Sequence, residues 1–383
     1  MSAVQVLKRI HILEVVAHND QKENAMKLYV WYILLVFTTQ ITFGQKSNTS
    51  ELSDFIGRLY VEGKIHGGVL IANSEDIIYK DAWGIAKKED HTSLNGNELF
   101  SINSMGKMFT SILILQLVDE GIISLDDNLN DLLKDFKHPE ASEITLHDLL
   151  AHRSGIRDYF LLQLNGEMPF DISKEEMLIE VANMDLKFKP GTKFNYSNTG
   201  YILLSLIVEK YREKNFYEVM EERIFNVLEM KNTFPKSELD SNQVSDYFKS
   251  DGSIDKLIGD DFGGDGGEIS TLEDMHKFMS ALGSVELLSP QMWTLAFTPH
   301  SFPKEVPEDA WPPPHQDPYG YGFSIMELPY DNTNSAKAVA HGGAGMGSSF
   351  AIRYIDSERI IINWNNMFKN PILIDLINFL AVN

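Results

Sequence analysis

Ser104 and Lys107 stand three residues apart in Ser104-Met105-Gly106-Lys107, just ahead of an apolar run over residues 108–118. On a helix that spacing puts both side chains on one face, one turn apart. An amine beside a hydroxyl can take its proton, which suits the serine to nucleophilic acyl transfer. Tyr196 and Asn198 follow in Tyr196-Ser197-Asn198, and His341 opens His341-Gly342-Gly343-Ala344-Gly345. A phenol whose pKa is lowered by a nearby ammonium such as Lys107 can shuttle a proton to a leaving group. The Asn198 amide can bind a substrate carbonyl or fix the lysine. Gly342 and Gly343 let a substrate backbone come close and leave N–H groups free to point at it. His341 can orient substrate or relay a proton.

Each motif has a plainer alternative. Ser-x-x-Lys recurs at Ser253-Ile254-Asp255-Lys256 and at Ser301-Phe302-Pro303-Lys304. The Ser253 copy lies among glycines and aspartates and reads as turn, and the Ser301 copy holds a proline and should not be helical. Only Ser104 precedes a sustained run, apolar nearly all round as in a buried helix and stopped by Gly121. There the serine is either an N-cap or a nucleophile in the positive field of a helix start. Tyr330-Asp331-Asn332 repeats the second motif in a polar turn. The Tyr196 copy follows a Pro190-Gly191 turn and precedes a helix-like run over residues 201–208. A buried structural tyrosine and a turn histidine are the alternatives for Tyr196 and His341. Strand-like runs over residues 336–340 and 348–354 flank the histidine.

The ordered trio resembles the serine β-lactamase and penicillin-binding-protein superfamily, in its class C, DD-peptidase and esterase branch. Supporting segments are similar too: Ile144 to Ile156, the glycine-rich Gly263 to Thr271, and Tyr319-Gly320-Tyr321-Gly322-Phe323. The resemblance implies Ser104 as nucleophile, Lys107 and Tyr196 as the base pair, Asn198 as the amide and His341 as the third-motif residue. The oxyanion hole would be the N–H groups of Ser104 and Ala344, with Gly342 and Gly343 lining the substrate. It also implies a substrate that is a small ester, amide or peptide, with no cofactor and no metal. Family β-lactamases carry Lys-Thr-Gly in the third motif, whose cation and hydroxyl grip a carboxylate. Here a mostly neutral histidine and a glycine stand instead. That favours substrates without a free carboxylate there. A ligand-binding or sensor module without turnover is the rival reading, and the intact serine, lysine and tyrosine favour hydrolysis.

These residues need a scaffold, and the elements supply a mixed α/β (α+β) one. A helix over residues 51–60, a hairpin of residues 66–72 and 77–83, a second hairpin of 350–354 and 360–364, and a last helix over 372–380 mark the two ends. They build one antiparallel sheet flanked by helices, with a mainly helical lobe inserted. The expected division is a sheet lobe of about residues 46–100 plus 260–383 and a helical lobe of about 101–259. The serine helix would lie at their seam, where ligand clefts are common. Residues 306–315 are proline-rich and would form a rim.

Composition narrows the rest. The chain has 383 residues, 43% hydrophobic, and no cysteine, so thiol catalysis and disulfides are excluded. His147 and His152 do not have zincin spacing, and Asp260, Asp261, Asp265 and Glu268 lack that of a calcium loop and read as a solvated loop. A net charge of −22 argues against nucleic acid or an anionic membrane as partner. Residues 28–43 are uncharged, short for a span, and followed by Gly44, as in a signal peptide covering residues 1–45. Translation from Met26 would make the segment regular, and export follows. An uncleaved N-terminal anchor is the alternative. The oligomeric state is not readable.

Overall fold

The computed structural model describes residues 49–239, 245–249, 252–255, 262–307, 317–345, 347–367 and 372–382. The signal segment, Asp260, Asp261, Lys256 and most of the proline-rich rim lie outside them. Residues 49–61 are helical, close to the expected 51–60. The elements below belong to the compact unit Gly57–Asn383.

Its centre is a six-stranded antiparallel sheet of β1 (Gly67–Ala72), β2 (Ile77–Trp83), β3 (Ser324–Pro329), β4 (Ser335–Gly345), β5 (Gly347–Tyr354) and β6 (Ile360–Asn365). The spatial order is β3-β4-β5-β6-β1-β2, so strands from the two chain ends meet where β1 pairs with β6, Leu70 opposite Ile362. Both hairpins fall where the sequence puts them. β1 (Gly-Gly-Val-Leu-Ile-Ala) and β6 (Ile-Ile-Ile-Asn-Trp-Asn) are buried along their whole length. Unbroken apolar runs of this kind mark strands covered on both faces, unlike the alternating pattern of a half-solvated sheet. Helix α5 (Leu272–Ala281) packs on β1, β5 and β6, and Thr271 caps it by accepting from the Asp274 N–H. The C-terminal helix α6 (Leu373–Val382) lies against β3.

Between the sheet segments the chain is mostly helical. α1 (Lys107–Asp119) is buried from Lys107 through Leu117, as its all-round apolar character requires, and packs on α4 (Asn198–Arg212). α2 (Leu146–Leu150) starts with a capping box from Thr145 and Asp148, and α3 (Tyr159–Leu164) is capped by Asp158.

Two expectations about the other Ser-x-x-Lys copies need correction. After Ser253 comes a short strand, Ile254–Asp255, paired with Tyr247–Phe248, rather than a turn. After Ser301 comes a single 3-10 turn, Pro303–Glu305, because proline is tolerated at the first position of a helical turn. Ser301 and Lys304 still do not converge. The serine Oγ donates to the Ala151 carbonyl and the lysine lies over the Phe302 ring.

Candidate active site

Ser104 sits in a 3-10 turn, Asn103–Gly106, that leads directly into α1. It is half-buried, and Gly106 rather than Ser104 holds the N-cap position of α1, without a side-chain cap. The N-cap alternative for the serine therefore fails. Asn103 enters the turn at φ +48°, a left-handed conformation uncommon outside glycine. The preceding strand Phe100–Ser101 pairs with Glu268–Ser270, which draws the glycine-rich turn 263–267 beside the serine.

Lys107, one turn on, is completely buried. Its Nζ donates to three oxygens: Ser104 Oγ at 3.2 Å, Asn198 Oδ1 at 2.8 Å and the Asp265 carbonyl at 2.5 Å. Burial pulls its pKa down to about 8, against the opposing pull of Asp265, Asp158 and Glu268. An ammonium uses all three N–H bonds here. A neutral amine has two, and the Asn198 and Asp265 oxygens, which only accept, hold those two and leave the lone pair for the Ser104 hydroxyl.

Tyr196 lies in the irregular segment before α4, with Ser197 as N-cap and Asn198 as the first helical residue. Its ring centroid is 4.9 Å from Lys107 Nζ, and its hydroxyl is hydrogen-bonded with Ser104. The expected lowering of the phenol pKa is not found. Burial raises it well above the usual tyrosine value, and the Ser104 hydrogen bond offsets only part of that. A dry phenol cannot shed its proton cheaply even with an ammonium nearby. Tyr196 is thus a protonated phenol hydrogen-bonded with the serine. His152 supports it: the imidazole packs 4.3 Å from the Tyr196 ring and its Nδ1 accepts the Ser197 N–H at 3.1 Å.

The third motif lies within β4 rather than in a turn, because β5 pairs with it through Gly345 opposite Gly347. β3 stops opposite Ala340, so among the described residues no strand covers the outer edge of His341 to Gly345. Gly343 has a steric reason: a Cβ there would overlap the Ile102 carbonyl and the Ser349 hydroxyl, so the serine turn could not lie on β4. His341 is buried, with Nδ1 2.7 Å from the Gly342 carbonyl and Nε2 3.1 Å from the Tyr319 hydroxyl. A carbonyl only accepts, so Nδ1 carries a proton and donates to it, and Nε2 shares a hydrogen bond with the Tyr319 hydroxyl. His341 is held at both ring nitrogens by partners within the protein. It lacks the outward cation that would grip a carboxylate.

Ser104, Lys107, Tyr196 and Asn198 are therefore brought together, with His341 6.4 Å from the Tyr196 ring between centroids. Sequence reading missed Asp158, Tyr159, Asp265 and Glu268. Asp265 and Glu268 are not a solvated loop: Glu268 is buried in a strand, and Asp265 faces Lys107 and accepts from the Tyr159 hydroxyl at 2.9 Å. The available signal was the Asp158-Tyr159 pair, just beyond the segment Ile144 to Ile156.

Comparison with known proteins gives the same picture. The beta-lactamase family model matches residues 51–372. Penicillin-binding protein 4* of Bacillus subtilis is 26% identical over 324 residues, covering 79% of this chain and 68% of that protein. A D-aminopeptidase of Brucella anthropi is 24% identical, covering 79% of this chain, which spans only 56% of that enzyme's length. The crystal structure of a penicillin-binding protein from Bacillus halodurans superposes with a TM-score of 0.68 at 29% identity, over 82% of this chain and 95% of that one. With a buried lysine on a turn serine and a family match across most of its length, the chain belongs to the beta-lactamase family of serine hydrolases.

Proposed function

We propose that the enzyme cleaves small neutral esters or amides through an acyl-enzyme at Ser104. The observation that carries this reading is Lys107, buried, with a pKa near 8 and 3.2 Å from the serine oxygen. At slightly alkaline pH the amine takes the Ser104 proton as Oγ attacks the carbonyl carbon. The resulting oxyanion is held by the N–H groups of Ser104 and Ala344, the first at the start of a helical turn and the second on the uncovered edge of β4. As the intermediate collapses, the lysine proton passes through Tyr196 to the leaving oxygen or nitrogen. Water then repeats the sequence in reverse roles and releases the acid. Asn198 fixes the lysine, and Gly342 and Gly343 line the acyl chain.

Substrate class follows from the third motif. Both nitrogens of His341 are engaged within the protein and Gly342 has no hydroxyl, so a carboxylate finds neither the lysine nor the hydroxyl of the family's third motif there. Neutral esters should outrank penicillins and acyl-D-Ala-D-Ala peptides. The D-aminopeptidase likeness supports a second reading, a D-amino-acid amide, which also lacks a carboxylate at the scissile side. Kinetics with p-nitrophenyl butyrate, a D-alanine anilide and a chromogenic cephalosporin separate these. The ester or the anilide should give the highest kcat/KM, and a cephalosporin that outpaces both contradicts the proposal.

We also propose that residues 1–45 direct export and that the catalytic domain occupies residues 46–383, with its sheet lobe formed from about 46–100 plus 260–383. The uncharged stretch 28–43 supports this. N-terminal sequencing of the exported protein should read from near residue 45. Recovery of the uncut chain in membranes would favour an anchor.

A further inference from the structure

Asp158 is a buried carboxylate, 7% exposed, with more partners than a helix cap needs. Oδ1 accepts the Leu161 N–H at 2.9 Å and so caps α3. Oδ2 accepts the backbone N–H of Asn198 at 2.5 Å, and the Asn198 side-chain Nδ2 lies 3.4 Å from Oδ1. A neutral Ser or Asn would cap a six-residue helix about as well. Burying a charge for that purpose alone is costly, and burial does push this carboxyl above its usual range.

The second partner explains the cost. An amide has an accepting end and a donating end, and either could face Lys107. A carboxylate only accepts, so Asp158 compels the Asn198 NH2 to face it and turns Oδ1 toward the lysine, where it takes an N–H at 2.8 Å. The flipped amide would set NH2 against the ammonium and a carbonyl against the carboxylate. We propose that Asp158 is a positioning residue for acylation: by orienting Asn198 it aims the Lys107 lone pair at Ser104.

The inference rests on the reading of Lys107 as the acceptor of the Ser104 proton. The charged and titratable groups facing Lys107 are Asp158 ahead of α3, Asp265 in the glycine-rich turn, Glu268 in the strand behind it, and the phenols Tyr196 and Tyr201. Asp265 bears on Asp158 as well. Because the Asp158 charge holds the lysine pKa up, removing it frees the amine at lower pH while leaving its aim loose.

The test is the second-order rate of fluorophosphonate inactivation from pH 5 to 10, with thermal melting to confirm folding. Asp158→Ser keeps a cap for α3 and loses the charge and the reach to Asn198. Asp158→Asn keeps the size and loses only the charge, and serves if the serine variant does not fold. The expected result is a folded protein whose acid limb moves down by about one pH unit. Its plateau rate should fall about 10- to 100-fold, the scale of a misplaced group. A limb at the wild-type position with a plateau within about two-fold overturns the proposal, because a purely structural cap would not govern the lysine. Lys107→Arg, measured alongside, separates the two levels. Loss of inactivation there with an unmoved Asp158 profile sinks Asp158 alone, and near-wild-type inactivation sinks the lysine reading and this proposal together.

Discussion

At the residue scale, the proposed chemistry depends on a lysine kept dry. Desolvation lowers its pKa by favouring the neutral amine, and three carboxylates on other elements keep it from falling further. The ester kcat/KM should therefore rise with pH through about 8 and fall about tenfold per unit below it. Tyr196, raised by burial, stays protonated, so no alkaline limb from the phenol should appear up to about pH 10. A profile that is flat between pH 6 and 9 would contradict a lysine base. The serine, lysine, tyrosine and amide that the structure gathers were legible because each belongs to a short motif in a suitable context. Asp158, Asp265 and Glu268 were not. Acidic residues among glycines and turns look like solvent-facing loop, and only tertiary packing buries Asp158 and Glu268 and brings Asp265 against Lys107.

At the element scale, the site is a contact between a helical turn and a strand. The turn Asn103–Gly106 lies on β4, and Ser349 Oγ of β5 donates to the Ile102 carbonyl at 3.0 Å to pin it. Replacing Gly343 with valine would push the turn off the strand. Overpacking of this kind costs about 1–3 kcal/mol, and the Tm should fall by several degrees with activity lost more completely than stability. A valine variant with wild-type melting and turnover would show that the turn does not need this approach. The hairpins at both chain ends were readable from alternating or continuous apolar runs between turn residues. The full length of β4 was not, since its glycines argue against a strand locally and pairing with β5 overrides them.

At the scale of the whole molecule, two chain ends make one sheet, and the helices between them deliver Lys107, Asp158 and Asn198 to it from three separate segments. That architecture was legible from the order of elements, whereas the engagement of His341 depended on a tyrosine, Tyr319, brought in from another part of the chain. Substrate choice belongs to this scale too in the proposed reading: a strongly acidic chain and a third motif without a lysine both weigh against anionic substrates. His341→Lys combined with Gly342→Thr should raise cephalosporin kcat/KM relative to a neutral ester by about 10- to 150-fold, the worth of one charge-assisted contact. An unchanged ratio would place specificity elsewhere. The central claim, that Ser104 is acylated with Lys107 taking its proton, is tested most directly by mass mapping of the fluorophosphonate adduct in wild type, Ser104→Ala and Lys107→Arg. The account predicts a single adduct on Ser104 in wild type, none in Ser104→Ala, and formation slowed about 10²-fold or more in folded Lys107→Arg. An adduct on another serine, or one that forms in Ser104→Ala at the wild-type rate, would contradict it.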